Sequence, residues 1–213
     1  MHKEYRIEKV DLNNEWDNFV KKSENGTVFS YSEFLLSLNI NPVAYFCYKN
    51  QTIKAGALLI ENKKGDTIGL HDFVIYNGIL FNSFLKEQNR SQINSEKYRI
   101  TKFLAEELIT IYKKVRISLH PSIKDIRPFL WINFKQKNLP RYCVDLRYTS
   151  YVNIEGMYEA ASLEEIPLYK QASTSRRQEI RYGIKTEVET VHQFDGEKFI
   201  DFYEKTMNRQ QIH

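Results

Sequence analysis

The 213-residue chain holds two cysteines, five prolines, eight glycines and no long apolar run. Cys47 and Cys143 are too few for a disulfide scaffold or a cysteine metal cage. Both sit among aromatic and β-branched neighbours, a setting that predicts two buried structural thiols in a reducing compartment. So little Gly and Pro excludes collagen-like and low-complexity chains. The longest apolar stretches, such as Ala55 to Ile60, fall far short of the about 20 residues a membrane-spanning helix needs. Met1 to Arg6 has no apolar h-region, so no secretory signal is legible and a cytoplasmic location is expected. The histidines and cysteines are scattered, without metal-ligand spacing. No nucleophile elbow, P-loop or dinucleotide fingerprint occurs.

What is present is aromatic. Fourteen Tyr and 13 Phe supply ample core material and exclude disorder for most of the chain. The 31 basic and 27 acidic residues leave a net charge of +4. That mild excess does not call for a nucleic-acid partner and suits phosphate-bearing small molecules equally well.

Periodicity divides the chain into elements. Tyr5 to Val10 reads as a strand. Asn14 opens a helix with Trp16, Phe19 and Val20 on one face, ended by Asn25-Gly26. Ser30 to Glu33 has the form of a capping box, flanked by the staple positions Phe29 and Phe34, and starts a second helix with Tyr31, Phe34, Leu35 and Leu38 as its stripe. The period then switches to two. Val43–Tyr48, Ile53–Ile60 and an extended run from Thr67 to near Phe81 are joined by short turns, which implies an antiparallel meander. Ser91 to Lys114 is a long helix carrying Ile100, Phe103, Leu104, Leu108 and Tyr112 at 3/4 spacing. Arg116–Leu119 is a buried-strand candidate, Asp125–Phe134 a helix interrupted at Pro128, and Tyr142–Leu146 a last strand. This order predicts an α/β (α+β) fold, with a mixed, mostly antiparallel sheet flanked by helices. Residues 148–167 read as a connector. A helix (Ser175–Lys185), a strand (Glu187–Val191) and a helix (Gly196–Arg209) follow, an α/β unit without a complete sheet. Phe199, Phe202, Tyr203 and Met207 form an apolar stripe on the last helix, expected to dock on protein or to promote self-association.

Five segments carry a resemblance. Tyr76-Asn77-Gly78-Ile79-Leu80-Phe81 resembles the Tyr-x-Gly-hydrophobic strand of Fem-type (FemAB-like) proteins, a branch of the GNAT acyltransferase superfamily. Pro121 to Phe129 resembles their Pro-x-x-x-Asp-x-Arg-Pro-Phe segment, and Tyr142-Cys143-Val144-Asp145-Leu146 the strand after it. Ser175 to Lys185 resembles their Arg-x-x-Ile-Arg helix. Phe202 to Gln210 resembles the ending of the next helix, and the order is that of the family. Gly183 departs from it, standing where the family has Ala.

The resemblance implies a GNAT-like domain over residues 1–147, a connector over 148–167, and the start of a second, truncated GNAT-like domain over 168–213. It implies an acyl- or aminoacyltransferase that moves an acyl group onto an amine of a sugar or cell-wall precursor. The donor would be acyl-CoA or aminoacyl-tRNA, used by the complete protein; this chain alone is expected to be inactive. The alternative is a non-catalytic GNAT-like module that binds a phosphorylated sugar or a protein partner. By resemblance Tyr76 and Asn77 line the acceptor groove; a strand-to-turn role is the other reading.

Residue chemistry adds candidates. A GNAT domain cradles the CoA pyrophosphate on a Gly-rich loop before its long helix, but Asn82–Gln92 contains no glycine, so no CoA binding is expected here and an acceptor site is. Arg177, Arg181 and Lys185 fall at i, i+4 and i+8 on one helix face, behind an expected Ser175/Gln178 capping box. They are candidates for holding an anionic sugar derivative. A solvated face relieved by Glu179 and Glu187 is the alternative. His71 and Asp72 are candidates for the base that deprotonates the acceptor amine, against a structural role in a turn. His120 ends a strand beside Pro121, and Asp145 is expected to pair with Arg147 or Arg141. No metal site is expected.

Overall fold

The computed structural model describes residues 4–83, 89–136, 138–187, 189, 191–192 and 194–210. It divides into two compact units, Met1–Thr149 and Ser150–His213. The first is built on a mixed, mostly antiparallel sheet: β1 (Tyr5–Val10), β2 (Asn41–Lys49), β3 (Thr52–Glu61), β4 (Thr67–Ile68), β5 (Gly78–Phe81) and β6 (Lys114–Val115). The order is β1-β2-β3-β4-β6, with β5 also on β3; β4 and β6 pair in parallel and the others antiparallel.

Alternation along the central strands builds both faces of the sheet. Ala44, Phe46, Leu58 and Ile60 pack with Trp16, Phe19 and Val20 of α1 (Asn14–Lys22) and Leu35 of α2 (Ser32–Leu36). The intervening Val43, Tyr45, Cys47, Ala55, Ala57 and Leu59 lie on the opposite face with α3 (Arg90–Ile111), through Ile100, Leu104, Ala105 and Leu108. Phe129 of α4 (Arg127–Leu130) joins that second face. Gly56 is where α1 comes closest, since an added Cβ would lie 2.7 Å from Phe19 and 3.0 Å from Trp16.

α1 begins at Asn14 as expected, capped by Asn13, whose side chain accepts from the amides of Glu15 and Trp16. Several expectations change. Ser30 is not an N-cap. It closes a 3-10 turn, and its carbonyl accepts from the Trp16 indole at 2.7 Å. Asp17 takes over at α2, accepting from the Ser32 amide and hydroxyl, while Phe29 and Phe34 do meet edge to face at 5.7 Å. The extended run from Thr67 is broken: β4 ends at Ile68 and β5 begins at Gly78, with φ +113°. Arg116–Leu119 continues β6 by single bonds rather than a full ladder, Arg116 donating to Ile68 and Asn77 to Ser118. Tyr142–Leu146 is not a strand. Tyr142 is instead pinned to α3, its hydroxyl donating to the Ala105 carbonyl at 3.0 Å, and Cys143 is exposed rather than buried.

The second unit, by itself, holds α5 (Pro167–Gln171), α6 (Thr174–Lys185) and α7 (Gly196–Arg209). The expected strand Glu187–Val191 does not form among its described residues. Glu187 takes a left-handed φ of 52° just after α6, which interrupts extension where it would begin. Phe199, Phe202 and Tyr203 are exposed, at 66%, 68% and 49%, and Met207 is half-buried, so this unit does not itself cover the stripe. Among the described residues no helix is long and apolar enough to cross a membrane.

Candidate functional site

The break between β4 and β5 is the most distinctive feature of the sheet. A strand that stops for nine residues leaves main-chain groups without a ladder, and burial makes each of them costly unless paired. Asn77, 4% exposed, answers for three of them. Its side-chain amide donates to the Gly69 carbonyl, its carbonyl oxygen accepts from the Ser118 amide, and its own N–H donates to the Ser118 carbonyl. Asn77 thus ties both ends of the break to the strand that follows α3. Its polar groups are committed to the fold.

Tyr76, one residue earlier, points elsewhere. Its ring meets Phe29 edge to face at 6.1 Å and His120 at 5.1 Å. His120 stands just past the β6 continuation. Its Nδ1 lies 3.2 Å from the Ser122 amide and 2.9 Å from the Ser122 hydroxyl. Only an unprotonated Nδ1 accepts from that amide, so the neutral ring carries its proton on Nε2. Burial moves the imidazole below its usual value, which favours the neutral form. A half-buried, neutral imidazole with Nε2–H as donor therefore sits against Tyr76 at the mouth of the break. The X-His-Pro break was legible in the sequence; the partnership with Tyr76, 44 positions away, was not.

His71 and Asp72 lie within the break, in a tight turn. Val74 donates to the His71 carbonyl, and Nδ1 of His71 accepts from the Phe73 amide at 3.3 Å. Asp72 is exposed and makes no ion pair among the described residues. Asp145 pairs with Arg147, two residues on, at 3.0 Å. Among the described residues no group of three His, Cys, Asp or Glu side chains is placed to hold a metal ion.

Arg177, Arg181 and Lys185 do fall on one helix, α6, but the expected cap shifts. Ser173 is the N-cap, accepting from Arg176, and Ser175 lies inside the first turn. Gln178, expected to complete the box, donates to the Tyr182 hydroxyl instead. Arg176, beside that face, pairs with Glu179 at 2.6 Å. Arg181 donates to the Arg177 carbonyl, whereas the Arg177 Nε is buried with no partner among the described residues. Arg181 and Lys185 are exposed.

One feature escaped the sequence reading: an open cleft of about 780 Å³ lined by residues of α3 together with Arg127 and Trp131. Compared with family models, with curated proteins and with solved structures, the chain finds no match.

Proposed function

We propose that this chain is the GNAT-like part of a cytoplasmic Fem-type acyl- or aminoacyltransferase acting on an amine of a sugar or cell-wall precursor. One observation carries the reading: the break between β4 and β5, held open by Asn77 and bordered by Tyr76 and a neutral His120. In acyl transfer the amine nitrogen attacks the thioester or ester carbonyl, the C–N bond forms, the C–S or C–O bond breaks, and the amine proton ends on the leaving group. Negative charge gathers on the carbonyl oxygen in between. A fixed imidazole N–H, held by Ser122 rather than by substrate, suits that oxygen. Tyr76 would help position the acceptor beside it.

The N-terminal amides of α3 offer the donor's phosphates a poor backbone cradle. Two of them are engaged by a reciprocal cap, the Asn89 side chain accepting from the Gln92 amide and the Gln92 side chain from the Asn89 amide. Together with the glycine-free approach, of which residues 84–88 lie outside the described set, this supports an acceptor role for the first unit. Arg177, Arg181 and Lys185 would hold an anionic part of the substrate.

A second reading, a non-catalytic module for a phosphorylated sugar or a protein partner, draws on the commitment of Asn77 and of His71 Nδ1 to main-chain bonds. The test expresses the whole reading frame and follows acyl transfer from acyl-CoA and aminoacyl-tRNA donors to amino-sugar acceptors by mass spectrometry. Transfer lowered about 10²–10³-fold by His120→Ala, the usual loss for an oxyanion donor, supports the enzyme. Absence of transfer with every pair, or an unchanged rate in His120→Ala, overturns the proposed site.

A further inference from the structure

The cleft on α3 has a chemistry that neither the strand break nor α6 shares. On a helix, positions four apart stack into rows. Arg90 and Tyr98 lie on one row, and Ser91, Ser95 and Arg99 on the next, so two arginines and two hydroxyls share a face of α3. Across from them stands Arg127, and its geometry is fixed. Asp125 accepts from its Nε at 2.8 Å and its Nη2 at 2.6 Å. The guanidinium carbon also lies 5.4 Å from the centre of the Tyr98 ring and 5.7 Å from that of Trp131. A carboxylate on one edge and two aromatic rings beside it leave an arginine little freedom to lose on binding.

We infer that this cleft binds a phosphate ester. Among the described residues the three guanidinium groups have one carboxylate in ion-pair reach, Asp125 on Arg127, so positive charge is left in excess for an anion. Arg90 and Arg99 are exposed and make no ion pair among the described residues, so neither is consumed by the fold. Serine hydroxyls and forked guanidinium donors are the groups that surround phosphate oxygens. At about 780 Å³ the cleft is far larger than a phosphate group requires, so the phosphate is one end of a larger molecule. Trp131, 57% exposed, forms a flat wall on which a ring of that molecule rests, and the same indole borders a second hollow with Phe134 and Lys135. The assignment stands on the cleft alone and does not depend on acyl transfer.

Calorimetry on the full chain at low salt tests it, with inorganic pyrophosphate as the first probe and a nucleoside diphosphate and a sugar phosphate as the second and third. Saturable pyrophosphate binding is expected, weakened at least tenfold in both Arg90→Ala and Arg99→Ala. The melting temperature is expected to hold in each, because neither side chain supports the fold. Lys21→Ala, on α1 and outside both sites, is expected to bind as the parent does. No saturable binding, or binding unchanged in both Arg90→Ala and Arg99→Ala, overturns the inference. Tighter binding of either ester than of pyrophosphate, abolished by Trp131→Ala, supports the ring wall. The nucleotide gaining identifies a base, and the sugar phosphate gaining identifies a glycosyl group. If neither gains, Trp131 has no such role and the ester assignment falls.

Discussion

Asn25 shows how one side chain can stand in for a strand. β5 uses one edge for β3, and Ile79 and Phe81 turn their main-chain groups to the other edge. There Asn25, 5% exposed, donates to the Ile79 carbonyl at 2.9 Å and accepts from the Phe81 amide at 2.8 Å. Asn25→Ala leaves both groups buried and unpaired, at about 1–3 kcal/mol each. The urea midpoint is expected to fall sharply with an unchanged slope; a midpoint equal to the parent's would show that water replaces the amide. The two cysteines differ in the same local way. Burial pushes the Cys47 thiol up to about 12, and Tyr5 likewise to about 12, whereas Cys143 is exposed. Both raised groups stay protonated in the folded chain while an unfolded thiol ionises from about pH 8.5 and an unfolded phenol from about pH 10. The unfolded state then binds fewer protons, so stability is full below about pH 8.5 and falls as pH rises toward 12. Iodoacetamide at pH 8 is expected to label Cys143 alone in the native chain. Two labels without denaturant would contradict the burial of Cys47.

Among the elements, α3 and α7 make opposite cases. α3 carries its apolar row inward, is capped at its N-terminus by the reciprocal pair Asn89 and Gln92, and ends where Tyr112 bonds Glu61 at 2.6 Å and Tyr45 at 2.7 Å. α7 has an equally clear stripe and a proper cap at Asp195, yet none of its residues is buried. An amphipathic pattern promises a face, and a partner for that face has to come from the rest of the molecule. Phe202→Asp is therefore expected to leave the thermal midpoint of this chain where it is, as exposed substitutions do. A marked fall would show that the stripe is covered in solution, by a second copy or by more chain.

On the scale of the whole molecule, the three hydrophobic clusters all lie between Tyr5 and Tyr142, while the second unit contributes Tyr169 to the buried set. Each face of the sheet is closed by helices from the same unit. Residues 1–149 expressed alone are expected to unfold cooperatively at the midpoint seen in the full chain. A fragment that fails to fold, or melts well below it, would mean that residues 150–213 complete the core.

By itself, the sequence determined what depends on near neighbours. The alternation of Val43 to Cys47 and Ala55 to Ile60, the stripe of α3 and the short turns between strands follow from periods of 2.0 and 3.6 and from turn chemistry. They suffice for a mixed, mostly antiparallel sheet flanked by helices. Of the candidate site, Tyr76 and Asn77 stood out only through the family resemblance, His120 as a strand end beside Pro121, and the three cations of α6 as a row. Only the tertiary structure decided where the long run from Thr67 breaks, that Asn77 bridges the break to Ser118, that Tyr76 meets His120, and that Arg127 closes over Tyr98. The same holds for the strand that Tyr142–Leu146 does not form and the cap that Asp17 lends to Ser32. Each of these pairs residues far apart in the chain. Whether a donor, a ring or a strand edge finds its partner depends on where the sheet carries both, which no local period records.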